Sequence, residues 1–235
     1  MLNNNLIALG LTLVIALGWL RINDFIAHQG WVSSSISRKI IHIGTGPIFV
    51  LCWLLFNDSN QSPYLAAIVP LGITLQFALV GSGVIRDPAA VKAMSRTGDR
   101  REILRGPLFY GIAFVLLTIT FWRETPIGMV SLMILCGGDG LADIVGQRLG
   151  YYKLPWSHNK SYLGSLTMFV GGSAFAVFIL WVFVWQGFFE APITDYLLPI
   201  ALIAGVTMIV ESLPFSDIDN ISVPLVSVLL GLLVF

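Results

Sequence analysis

Charge is what this sequence has least of. Only 11% of its 235 residues are Asp, Glu, Lys or Arg, against 56% that are hydrophobic, and the mean hydropathy is +0.84. Soluble domains carry about 25% charged residues, so a soluble globular fold is excluded and the chain reads as an integral membrane protein. Cysteine is nearly absent. Cys52 and Cys136 lie in separate apolar runs without paired spacing, which argues against a disulfide framework or a cysteine zinc site and leaves them as packing residues. No basic residue precedes the first apolar run, MLNNNLIALGLTLVIALGWL, whose first positive charge, Arg21, comes after it. A cleaved signal peptide is therefore disfavoured, and a retained first span with its N-terminus outside is expected. Nor is there a basic stripe or nucleic-acid motif, so nucleic acid is excluded as a partner.

What the chain has instead is long apolar runs between short polar links. Runs near 20 residues occur at 5–20, 40–56, 64–84, 107–122, 126–147, 162–186 and 196–213, the length a helix needs to cross a bilayer. A last run, 223–235, is short: 13 residues of helix reach only about 20 Å. The expected fold is all-α, a polytopic membrane bundle of seven or eight spans forming one domain over residues 1–235. With the N-terminus outside, Arg21, Arg38, Lys39, Arg86, Lys92, Arg96, Arg100, Arg101, Arg105, Arg148, Lys153 and Lys160 share one side and Arg123 alone lies on the other. Basic links mark the cytoplasmic face, so the polar chemistry is expected there.

That chemistry begins with GGDGLADIVG, residues 137–146. Asp139 and Asp143 stand four apart, one helical turn, with about 5–6 Å between their β-carbons. Two anions this close in a low dielectric need a cation or donors between them, and a shared Mg²⁺ is the simplest such cation. The alternative is a packing role, with one carboxyl protonated or paired with an arginine. The surrounding glycines permit either close helix packing or close approach of a polyphosphate. The link after it, RLGYYKLPWSHNKSYLGS at 148–165, brings Arg148, Lys153, His158 and Lys160 with almost no acid. Cations beside a carboxylate pair have the form of a nucleotide site, although NKSYLG lacks the frame of a Walker P-loop.

Two further elements complete the candidates. ESLPFSDIDN at 211–220 is an acidic link among basic ones, and Glu211, Asp217, Asp219 and Asn220 suggest a metal ligand or a ribose and base contact, against a plain solvated loop. SRKIIH at 37–42 places Arg38 and Lys39 at the mouth of the second span and His42 one turn inside it. His42 fits proton transfer, phosphate binding or a satisfied core histidine. In the long link 86–107, Asp87 and Pro88 predict the start of a short surface helix and Gly98 a stop, with Glu102 its conspicuous acid. Its basic residues suit an anchor on anionic lipids.

Together, RKIIHIG at 38–44, RTGDRREILRGPLFY at 96–110, WRETPIGMVSLMILCGGDGLADIVGQRLG at 122–150, KLPWSHNKSYLGSLTMF at 153–169, VESLP at 210–214 and DNISVPL at 219–225 resemble the phytol kinases, within the wider CTP-dependent polyprenol and dolichol kinase group. A more distant likeness is to phosphatidate cytidylyltransferase. The resemblance implies transfer of the γ-phosphate of CTP, with Mg²⁺, to the hydroxyl of phytol in prenyl-alcohol salvage, in a cyanobacterial or plastid-type membrane. It implies that Asp139 and Asp143 belong to the nucleotide and metal site. Arg148, Lys153, Lys160 and Ser161 go to the phosphate-binding link, with Arg38 and Lys39 as further basic contacts. Glu211, Asp219 and Asn220 form the third motif, and Asp139, Asp143 and Glu211 are the expected metal ligands. Asp143, Glu211 and His42 are candidates for taking the hydroxyl proton. The chain departs from the group at His158 and Asn159, where relatives carry a further basic residue.

Three rivals stand beside this reading. A kinase for farnesol, geranylgeraniol or dolichol would use the same polar residues, because the tail pocket is apolar in every case. A cytidylyltransferase would attack the α-phosphate and give a CDP-lipid. A transporter calls for mid-span polar residues, polar chemistry on both faces and an internal repeat, none of which the sequence shows. The lipid bilayer is an expected partner, and nothing in the sequence sets an oligomeric state.

Overall fold

The computed structural model describes residues 1–95, 97–214 and 218–235, without the side chains of 24, 28, 34 and 35. Arg96 and Asp217 therefore lie outside the described residues. The chain divides into two compact units, Met1–Ile119 and Thr120–Phe235. Among the described residues, seven helices are long and apolar enough to cross a membrane, and the fold is an all-α polytopic bundle.

The first unit holds α1 (Asn5–His28), α2 (Ser34–Cys52), α3 (Ser62–Ser82), the short α4 (Pro88–Met94) and α5 (Gly106–Thr120). α1 is longer than the apolar run alone suggested. The helix continues through Arg21 because propagation adds a hydrogen bond per residue, and 24 residues span about 36 Å. At its start, Asn5 Nδ2 donates to Asn57 Oδ1 at 2.8 Å and to Ser62 Oγ at 2.9 Å, tying α1 to the link before α3. Gly44 of α2 lies flat against Trp19 of α1: a β-carbon there would stand 2.2 Å from the indole ring. The short helix α4 starts where Asp87 and Pro88 predict, with the Asp87 side chain accepting from the Ala90 N–H at 2.9 Å. It ends at Met94, ahead of Gly98, and Glu102 closes the next turn by accepting from the Thr97 hydroxyl at 2.6 Å.

The second unit is built around the fifth span. That span runs as α6 (Ile127–Met133), a π-helical stretch (Ile134–Asp139) and α7 (Gly140–Arg148). Of its most apolar window 83% is buried, against 39% for the next span, and Asp139 and Asp143 on it are half-buried. α8 (Tyr162–Trp185), α9 (Ile193–Glu211) and α10 (Asp219–Val234) surround it. α8 gets close because both partners lack side chains at the contact. A β-carbon on Gly164 would meet the Ala142 carbonyl oxygen and the Gly146 Cα at 3.3 Å. One on Gly138 would lie 3.0 Å from the Met168 carbonyl oxygen. Gly138 and Gly146, beside Asp139 and Asp143, thus take part in helix packing. α10, at 16 residues, covers about 24 Å, less than the roughly 30 Å hydrocarbon core. Cys52 and Cys136 are both buried, as packing residues should be.

Between α7 and α8 the basic link folds into a feature that its composition did not announce. β1 (Lys153–Leu154) and β2 (Ser157–Ser161) pair antiparallel, with an irregular register between Lys153 and Leu154. Leu154, Ser157 and Ser161 are buried beneath this hairpin. Ser161 ends it by capping α8, its Oγ accepting from the Gly164 N–H at 3.1 Å.

Candidate active site

Three chain segments meet at one end of the second unit. Asp139 closes the π-helical stretch, Glu211 is the last residue of α9, and Asp219 is the first of α10. One oxygen from each carboxylate lies within 4.8 Å of the other two. A π turn inserts an extra residue into the helical repeat and so rotates the helix beyond it, and here it ends on the aspartate that enters the cluster. α9 and α10 contribute because their ends face one another across the link 212–218.

Lys160, on β2, reaches into the same cluster. Its Nζ donates to Glu211 and to Asp219 Oδ2, the latter at 3.0 Å. The side chains of Lys160, Glu211 and Asp219 are 24%, 5% and 18% exposed, which shields the ion pairs from bulk water. Burial works against the Lys160 charge, but Glu211, Asp219 and Asp139 outweigh it and hold its pKa above the ordinary lysine value. The ammonium is therefore a fixed positive charge among three carboxylates.

The other sequence candidates fall into distinct places. Asp143 is not a member of the carboxylate cluster; it lies one turn along α7 and accepts from Gln147 Nε2 on its own helix. Asp219, expected from the sequence as a nucleotide contact, stands in the cluster where Asp143 was expected. Arg148 and Lys153 are exposed at the end of α7 and on β1. The Ser161 hydroxyl accepts at the helix cap. Asn220 follows Asp219 on α10, and its Oδ1 is buried with no hydrogen-bond donor among the described residues. Arg38, Lys39 and His42 are on α2 of the first unit. There the His42 ring stacks on Tyr110 at 4.3 Å between centroids, and the Tyr110 hydroxyl donates to the His42 carbonyl at 2.7 Å.

Sequence reasoning overlooked Trp156 and Gln147. The indole Nε1–H of Trp156 donates to the carbonyl oxygen of Ser212, beside Glu211. The available signal was an aromatic with one N–H donor in the middle of a basic link.

The cluster suits a hard divalent cation. Three carboxylates offer oxygen ligands without sulfur or imidazole, the donor set Mg²⁺ prefers. Ligand oxygens on Mg²⁺ at about 2.1 Å stand no more than about 4.2 Å apart. Carboxylates already within 4.8 Å are near that spacing, and Lys160, which donates to Glu211 and Asp219, would turn toward the phosphates to admit the ion.

No family model and no solved structure matches the chain. Curated proteins do. A probable phytol kinase, chloroplastic, of Triticum aestivum is 39% identical over 231 residues, covering 96% of this chain and 77% of the relative. Phytol kinase 1, chloroplastic, of Arabidopsis thaliana is 40% identical over 206 residues, 87% and 68%. Farnesol kinase, chloroplastic, of the same plant is 39% identical over 230 residues, 97% and 75%. Fold and site define a polytopic membrane enzyme with an acidic, lysine-bearing centre at one end of its helices. With relatives this similar over nearly its whole length, the chain belongs to the phytol kinase family, and it is a kinase.

Proposed function

We propose that this protein is a prenyl alcohol kinase that transfers the γ-phosphate of CTP to the hydroxyl of phytol, giving phytyl phosphate and CDP. The observation that carries the reading is the placement of Asp139, Glu211 and Asp219 around Lys160, in a chain about as similar to a farnesol kinase as to phytol kinases. The catalytic face is the cytoplasmic one, by the bias of the basic links, and the membrane is of plastid or cyanobacterial type.

Phosphoryl transfer depends on positioning and charge neutralisation more than on covalent chemistry. Asp139, Glu211 and Asp219 would hold Mg²⁺, which would offset part of the negative charge of the triphosphate. Lys160 presents its ammonium to the phosphate oxygens, with Lys153 and Arg148 on the same link drawing the anion in. Asn220 offers a buried carbonyl oxygen for a base or ribose hydroxyl. Asp143, outside the carboxylate cluster but one turn from it, takes the hydroxyl proton; Glu211 is the alternative. The prenyl tail stays in the bilayer while its hydroxyl comes to the end of the helices.

The test is a product assay with purified protein in detergent, Mg²⁺, each labelled nucleotide in turn, and phytol or farnesol. Phytyl phosphate formed with CTP, and lost when a chelator removes the divalent ion, supports the reading. A CDP-lipid with pyrophosphate, or no lipid product with any nucleotide, overturns it.

A further inference from the structure

The ribbon that carries Lys160 is too small to hold itself in place. Its strands have two and five residues, and an isolated two-stranded hairpin is at best marginally stable in water. Two anchors flank Lys160. On one side Ser161 is fixed as the cap of α8. On the other, at the turn of the hairpin, the Trp156 Nε1–H donates to the Ser212 carbonyl oxygen at 3.1 Å and approaches the Ser212 hydroxyl at 3.3 Å.

Ser212 is buried and directly follows Glu211. Its own hydroxyl donates back to the Ile209 carbonyl at 2.7 Å, so the acceptor is itself held by the last turn of α9. The indole bond therefore joins the tip of the hairpin to the residue next to one of the carboxylates that Lys160 meets. Trp156 is 53% exposed, so its indole is half-buried and the hydrogen bond must be separated from the apolar contact by substitution.

We propose that Trp156 is a positioning residue of the nucleotide site. Its N–H fixes the hairpin on the end of α9 and so sets where the Lys160 ammonium stands relative to Glu211 and Asp219. It acts through Lys160 and does not touch the reacting groups. The inference rests on reading this centre as the nucleotide site. The plainer role for an exposed tryptophan in a link between spans is an aromatic anchor in the membrane interface.

Trp156→Phe separates the two roles, because it keeps an aromatic ring and removes the N–H. One neutral hydrogen bond corresponds to roughly a three- to tenfold change in an equilibrium. The expected result for W156F is that much rise in KM for CTP, and the same weakening of labelled CTP binding by equilibrium dialysis with Mg²⁺. KM for phytol stays at the wild-type value, and the thermal unfolding midpoint falls by no more than the loss of one hydrogen bond produces. Ser212→Ala leaves the carbonyl acceptor and should change CTP affinity less than W156F does. Unchanged CTP affinity in W156F, an equal change in both KM values, or a larger effect of S212A than of W156F overturns the proposal. Wild-type protein that binds CTP but phosphorylates no alcohol overturns the kinase reading instead, and W156F still tests the positioning role by dialysis.

Discussion

Lys160 and Asp219 lie 59 residues apart in sequence, yet the lysine Nζ stands 3.0 Å from the aspartate Oδ2. Neither residue stands out alone. One sits in a basic link where cations are expected anyway, the other in a short acidic link between two spans. Their meeting turns both links into parts of one centre.

Removing the ammonium should expose how strongly the carboxylates repel. Lys160→Met leaves a buried acidic group without its partner, a change that costs about 3 kcal/mol. It should lower the unfolding midpoint measured with chelator present, and adding Glu211→Gln should recover roughly half of the loss through coupling of the pair. The pH response has a definite sign. Because the folded pKa of Lys160 is raised, its stabilisation is fully present below the ordinary value of 10.5 and is lost only as pH rises through the folded value. The difference in midpoint between wild type and K160M should therefore be undiminished at about pH 9, and should widen as pH rises from about 7, because the carboxylates left without the ammonium are tolerated better when protonated.

The two aspartates of GGDGLAD should behave differently. Asp139→Asn, like Asp219→Asn, removes an oxygen from the carboxylate cluster and should raise the Mg²⁺ concentration needed for half-maximal turnover by about 10- to 100-fold. Asp143→Asn should leave that concentration unchanged and lower kcat by about 10²- to 10⁴-fold, as loss of a general base does. A magnesium titration of each variant at saturating CTP and phytol reads both. A shifted magnesium requirement in D143N assigns Asp143 to the metal site instead.

Ser161 combines a nucleotide-site position with a helix cap. Ser161→Ala should destabilise the protein by about 1 kcal/mol through the cap alone, read as a lower thermal unfolding midpoint. Ser161 is buried among Gly146, Gly150 and Gly164, so Ser161→Asn, although its side chain can also cap, should lower the midpoint further than S161A by overpacking.

Glycines in this chain divide by what surrounds them. At Gly164 a β-carbon meets backbone atoms of the fifth span at 3.3 Å, so Gly164→Ala should cost about 1–3 kcal/mol by overpacking. At Gly10, within α1, nothing lies within 4 Å of that β-carbon. Gly10→Ala should stabilise by about 0.4–1 kcal/mol, because alanine has fewer unfolded conformations to lose. Thermal unfolding of both variants in the same detergent gives the comparison.

Composition and run length by themselves determined that the chain lies in a membrane as helices, because burying peptide groups in hydrocarbon leaves few other solutions. The same local signals marked the span positions, the cap at Asp87, and the segments bearing Asp139, Lys160 and Glu211. Tertiary structure alone decided how those segments combine. Four-residue spacing paired Asp139 with Asp143, but a π turn before Asp139 and the approach of the α9 and α10 ends group Asp139 with Glu211 and Asp219. The basic link became a hairpin held by the Trp156 bond to Ser212, which no periodicity encodes. Helix formation is local and is written in each stretch of sequence. The meeting of three distant carboxylates and one lysine depends on how the helices pack, and that is settled only when the whole unit is assembled.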